Sequence, residues 1–160
     1  VALELILASG GPAAAEFVNL LLHDPALDPS LREDLLHELS GMGGGFFSIR
    51  QLPLTEALTS TALVLTKSAK EQDRQGGAGL LGGVRTEASR TELRRLMEHD
   101  PNMGVRTAAA MSLGHDGDPS TQTFLENFWV SKSSTLQGQE GARLSKAIEG
   151  ALKELAEGPR

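Results

Sequence analysis

His37 and Glu38 are adjacent at the point where a helix is expected, and an imidazole beside a carboxylate is a minimal unit for presenting two metal ligands. His99-Asp100 and His115-Asp116 repeat the combination, but both fall near turns, where a histidine ordinarily caps a helix C-terminus in solvent. With one usable pair and no second set to meet it, neither a metal nor a cofactor is expected. A different chemistry is mimicked by Gly77-Ala78-Gly79-Leu80-Leu81-Gly82, which fits the pattern of a loop that cradles a pyrophosphate. Such a loop needs a strand before it and a helix after it; here the polar run Lys70–Gln75 precedes it, so the segment reads as a flexible loop between helices. No Ser, His and Asp share a local signature for nucleophilic catalysis. Cysteine is absent, which excludes a thiol nucleophile, a zinc ribbon and a disulfide framework and leaves the redox compartment open. No catalytic residue is assigned, and the expectation is that the chain is not an enzyme.

Charge narrows the partners. The formal net charge is −6, against the Lys/Arg surplus that phosphate neutralisation requires, so no nucleic-acid partner is expected. Arg90, Arg94 and Arg95 form a local basic cluster, but Glu87, Glu92 and Glu98 are interleaved with them, the pattern of a solvated helix face. No apolar run is long enough for a signal segment or a membrane span, so no membrane insertion is expected. Val1-Ala2-Leu3-Glu4 has neither an initiator Met nor a basic start, which reads as a fragment of a longer chain. Localisation stays undetermined.

The elements that position these residues are helices. Aromatics are only 4% of the 160 residues and Tyr is absent, a poor supply for a β-sandwich core. Apolar residues recur at helical spacing at Phe17, Leu20, Leu21; Leu31, Leu35, Leu39; Leu93, Leu96, Met97; Val105, Ala109, Leu113; and Leu144, Ile148, Leu152, Leu155. Asp24-Pro25, Asp28-Pro29, Asp100-Pro101 and Asp118-Pro119 supply start signals, since Asp accepts hydrogen bonds as an N-cap and Pro fits the first turn. Stop signals sit at Gly10-Gly11 and Gly43-Gly44-Gly45. Helices are expected at about 2–8, 12–23, 29–40, 54–70, 86–99, 103–114, 119–131 and 138–156, with a short one around Phe46–Leu52.

Two segments are self-similar. Leu31-Arg32-Glu33-Asp34-Leu35-Leu36-His37-Glu38-Leu39 superposes on Val105-Arg106-Thr107-Ala108-Ala109-Ala110-Met111-Ser112-Leu113 at an offset of 74, and Gly43 falls on Gly117 by the same shift. Half that offset is about the length of a helix-pair repeat. The intervening repeat is assigned to Ala57–Thr66, with Ala57, Thr61 and Leu65 in the core places.

Asp100-Pro101, then Val105 to Gly114, then Asp118-Pro119, resembles a HEAT repeat of the bacterial type: an Asp-Pro turn, a Val-Arg, a small-residue helix and a Leu-Gly stop. The resemblance is good over about 35 residues and extends more weakly to Phe17–Gly43. It implies an all-α fold, an α-α superhelix of about four antiparallel helix pairs stacked with a right-handed sense, as one domain over residues 1–160. It also implies that Asp and Arg at Asp24/Arg32 and Asp100/Arg106 form a ladder between neighbouring repeats and are structural. His37-Glu38 resembles the His-Glu pairs of deoxyhypusine hydroxylase, a di-iron enzyme of similar architecture, but the matching position in the later repeat is Met111-Ser112. A HEAT-like DNA glycosylase would need a basic face and aromatics to hold a base, whereas Trp129, Phe124 and Phe128 read as core between helices.

The function expected is therefore a protein-protein interaction scaffold that takes a peptide or protein on its concave face. Second helices line that side of a solenoid, and the stripe expected there is Glu33, His37, Thr59, Leu63, Thr107, Met111 and Lys146, with Leu63 and Met111 making a partly apolar groove. Two alternatives stay open. One is a HEAT-like enzyme or cofactor-binding protein, bilin-lyase-like or metal-dependent. The other is a structural segment of a larger solenoid, docking or self-associating end to end through the amphipathic faces at Val1–Ile6 and Leu144–Leu155.

Overall fold

The computed structural model describes residues 11–39, 56–84, 86–115 and 117–157. In it, Asp-Pro pairs start helices wherever the carboxylate reaches the first free amides. Asp28 Oδ1 accepts hydrogen bonds from the amides of Ser30 at 2.9 Å and Leu31 at 3.3 Å. Asp118 Oδ1 does the same for Ser120 at 2.8 Å, with Pro119 in the first turn. The Ser30 and Ser120 hydroxyl and amide contacts hold the Asp28 and Asp118 carboxyls below their ordinary range. At the other two pairs the carboxylate makes a turn and a neighbour caps the helix. Asp24 Oδ1 accepts from Ala26 N, and Asp100 Oδ1 from Asn102 N, whose own side chain then caps Val105 N at 3.1 Å.

Among the described residues there are eight α-helices: α1 (Gly11–His23), α2 (Pro29–Leu39), α3 (Glu56–Leu65), α4 (Glu71–Leu81), α5 (Glu87–His99), α6 (Met103–Gly114), α7 (Pro119–Lys132) and α8 (Gly138–Glu157). A 3-10 turn, Ser133–Thr135, links α7 to α8. Strands are absent from the described residues. The fold is an all-α helical repeat, as the periodicity predicts. The expected helix at 2–8, the short one around Phe46–Leu52 and the Gly43–Gly45 stop lie outside the described residues.

The Gly-rich segment departs from expectation. Gln75–Gly82 is not a flexible loop: residues 71–81 form α4, buried from Gly76 to Leu81. Each glycine costs a helix about 1 kcal/mol relative to alanine, so propensity argues against this helix. Packing overrides it. A Cβ on Gly77 would lie 2.9 Å from both the Ala62 carbonyl oxygen and the Thr66 amide nitrogen, so only glycine lets α4 approach α3 this closely. The helix expected from 54 to 70 accordingly ends at Leu65 and turns back into α4.

Consecutive helices pair as α3 with α4, α5 with α6 and α7 with α8, and the second helices α2, α4, α6 and α8 stack one on the next. Ala57–Thr66 is thus the first helix of its pair, and the second helix standing between α2 and α6 is α4. Ala57 is exposed, while Thr61 and Leu65 are buried. Arg32, Arg74 and Arg106 take equivalent places on α2, α4 and α6, 42 and 32 residues apart rather than evenly spaced. Small residues set the spacing of the row: a Cβ on Gly114 would sit 2.7 Å from Ala151 Cα of α8, and Gly82 meets Ser112 of α6 in the same way. Leu35, Leu36, Leu58, Leu80, Leu93, Leu113, Leu125 and Leu144 fill the continuous core that runs beneath the row.

Candidate functional site

The row of second helices is tied together by partly buried ion pairs. Arg32 of α2 pairs with Asp73 at the start of α4, and Ser68 Oγ donates to the other Asp73 oxygen at 2.7 Å. One pair further on, Arg74 forks onto Asp100: Nε to Oδ2 at 2.7 Å and Nη2 to Oδ1 at 3.1 Å. Its Nη1 donates to the Ser68 and Ala69 carbonyls, both at 3.0 Å. Only 13% of the Arg74 side chain and 3% of the Asp100 side chain are exposed, and the hydrogen bonds that the guanidinium donates to Asp100 hold it protonated more firmly than usual. Arg32 is a ladder member, as expected, with its rung on Asp73; the rung on Asp100 comes not from Arg106 but from Arg74, which sequence reasoning passed over. The signal was present: Asp73-Arg74 stands 32 residues before Val105-Arg106, hidden by Ser68-Ala69 in the place of Asp-Pro.

The basic cluster on α5 links the first helices in the same way. Arg95 holds Glu92 through Nε at 2.9 Å and Nη2 at 2.8 Å, and Thr66 Oγ1 donates to Glu92 Oε1 at 2.7 Å. The Arg95 hydrogen bonds, reinforced by Thr66 and opposed by burial, hold the Glu92 carboxyl below its ordinary range. Arg90 reaches Asp118 at 3.3 Å, and Arg94 donates to Ser120 Oγ at 2.9 Å with its guanidinium 5.3 Å from the Phe124 ring. Arg90 and Arg94 are therefore half-buried connectors to α7 rather than a solvated face. Phe128 is buried and Phe124 and Trp129 pack half-buried against the core, where the sequence places them.

The stripe expected for binding is only partly displayed. Glu33, His37 and Lys146 are exposed on α2 and α8, and Met111 is half-buried on α6. Thr107 is 7% exposed, and its hydroxyl donates to the Met103 carbonyl at 2.8 Å, so it is taken up by its own helix. Thr59 and Leu63 are half-buried on α3, a first helix, and do not join the row. The place they were assigned belongs to α4, whose glycines present no side chain.

A family model for HEAT repeats matches residues 56–139, more than half of the chain. The chain belongs to the HEAT-repeat family. The match spans α3 through the start of α8, including the Gly-rich helix α4. No curated protein matches the chain significantly. In HEAT terms His99 is the last residue of a first helix and exposed, while His115 caps a second helix and lies with Nδ1 2.9 Å from Glu154 Oε2 of the next one. His37 is exposed near the end of α2, and the Glu38 side chain and Asp116 lie outside the described residues. Among the described residues, no three His, Cys, Asp or Glu side chains converge to hold a metal ion. Nor is any described helix long and apolar enough to cross a membrane.

Proposed function

We propose that this HEAT protein is a non-catalytic scaffold that holds a peptide or protein segment on the concave face of its second-helix row. HEAT repeats commonly serve as protein-interaction scaffolds and are generally not enzymes, and membership of that family is the observation that carries the reading. The local structure supports it. Partly buried ion pairs and helix-to-helix glycine contacts fix the spacing of α2, α4 and α6, so exposed groups on the row are held at set distances and a partner need not organise them. Glu33 and His37 at one end and Met111 and Lys146 towards the other are the contacts proposed, mixing charge with one apolar anchor.

The test compares capture of partners from the native host by the wild type and by a Met111→Glu, Lys146→Glu variant, after circular dichroism shows equal helicity. A protein retained by the wild type and lost by the folded variant is the expected result. Equal capture by both, or none by either, would remove the proposed contacts.

A further inference from the structure

A half-open cleft of about 300 Å³ lies between the third and fourth helix pairs, lined in part by Glu98, Met103, Arg106, Lys132, Leu136 and Gly141. Arg106 is the ladder arginine of α6, equivalent to Arg32 and Arg74, and it differs from both. Their guanidinium groups are closed by Asp73 and Asp100. The stretch that leads into α8, Ser133-Ser134-Thr135-Leu136-Gln137, contains no carboxylate, and Glu140 in the first turn of α8 is exposed and makes no ion pair with Arg106. Among the described residues Arg106 has no acidic partner. Its Nε donates to the Met97 carbonyl at 2.7 Å and its guanidinium lies 6.0 Å from the Phe128 ring, so the side chain is held in place while both Nη nitrogens lack a protein acceptor among the described residues. Lys132, an exposed residue of the lining and likewise without an ion pair among the described residues, adds a second positive charge.

We infer that this cleft is a carboxylate-binding site, in which an Asp or Glu side chain of a partner polypeptide completes the rung that the chain's own sequence leaves open. The chemistry follows from the equivalent positions, since at two of three places the same guanidinium takes a carboxylate. Met103 and Leu136 offer an apolar wall beside the cations, which suits an acidic residue flanked by an aliphatic one in a peptide. Glu98 in the lining offsets one of the two cations and leaves about one net positive charge, which favours a monoanionic carboxylate over a phosphate dianion. The occupant's being a polypeptide rests on the scaffold reading; the site and its charge do not.

The probes are a blocked Leu-Asp-Gly peptide, its Leu-Asn-Gly counterpart and inorganic phosphate, each titrated into the whole chain and followed by amide NMR. Saturable shifts at Met103, Leu136 and Gly141 are expected with the Asp peptide, with at least about tenfold weaker binding of the Asn peptide. Lys132→Glu, at an exposed position and with its helicity checked by circular dichroism, should abolish the shifts, and Arg106→Gln should weaken them about tenfold or more. Glu98→Gln should tighten binding. Absence of saturable shifts, equal binding of the Asn peptide, indifference to Lys132→Glu, or stronger binding of phosphate at the same amides would each overturn the assignment. Should the Asp peptide fail while the Met111 and Lys146 contacts still capture a partner, this inference falls alone; should capture fail while the Asp peptide binds, the scaffold reading falls and the carboxylate site remains.

Discussion

At the scale of single residues, the ladder makes two predictions. Arg74→Ala removes the fork onto Asp100 and leaves a nearly buried carboxylate without its cation, so stability should fall by about 2–3 kcal/mol. Chemical denaturation of the variant reads this directly, and a loss under about 1 kcal/mol would show that the pair is screened like a surface bridge. Glu92 supplies a pH dependence. Its folded carboxyl is held below the ordinary value of 4.5 by Arg95 and Thr66, so its contribution is complete above that value and is lost as pH falls through the lowered one. The gap in melting temperature between wild type and Glu92→Gln should therefore be widest near neutrality and shrink on acidification below 4.5; a gap constant with pH would contradict it. Residue types were legible here and pairings were not. Asp100 and Arg32 stand out as ladder members, whereas a rung from Arg74 requires knowing that Lys70–Gln75 begins a helix.

At the scale of elements, glycine decides where the chain departs from its own periodicity. Helices rich in leucine at i, i+3 and i+4 spacing are legible because burial of one face selects them, and α1, α2 and α5 to α8 fall within a residue or two of expectation. α4 is illegible for the converse reason: Gly76, Gly77 and Gly79 give no side-chain period and lower propensity, while the reward for helix formation comes from close approach to α3. Substituting Gly77→Val should thus destabilise through overpacking against the α3 backbone by about 1–3 kcal/mol or more. Gly114→Val should do the same at the crossing of α6 and α8, where the acceptor is the Ala151 backbone. Either variant should melt several degrees lower, roughly 2–4 °C per kcal/mol for a chain of this size. An unchanged melting temperature for Gly77→Val would mean that α3 and α4 separate without cost.

At the scale of the whole molecule, misreading one helix shifted the candidate stripe. Taking Ala57–Thr66 as a second helix put Thr59 and Leu63 on the proposed face, although they belong to α3; Glu33, His37 and Lys146 lie on α2 and α8, whose bounds match expectation closely. The HEAT architecture was legible from one well-formed repeat, Asp100 to Pro119, because its Asp-Pro turn, small helix and Leu-Gly stop each reflect a packing requirement. The open rung at Arg106 was not, since a missing partner shows only against the two rungs that are filled. The most direct measurement of the central claim is hydrogen exchange on the chain alone and in complex with a captured partner. Slower exchange on α2, α6 and α8, with the first helices α1 and α3 unchanged, is the predicted result; protection concentrated on α1 and α3 would contradict a scaffold that works through its second-helix row.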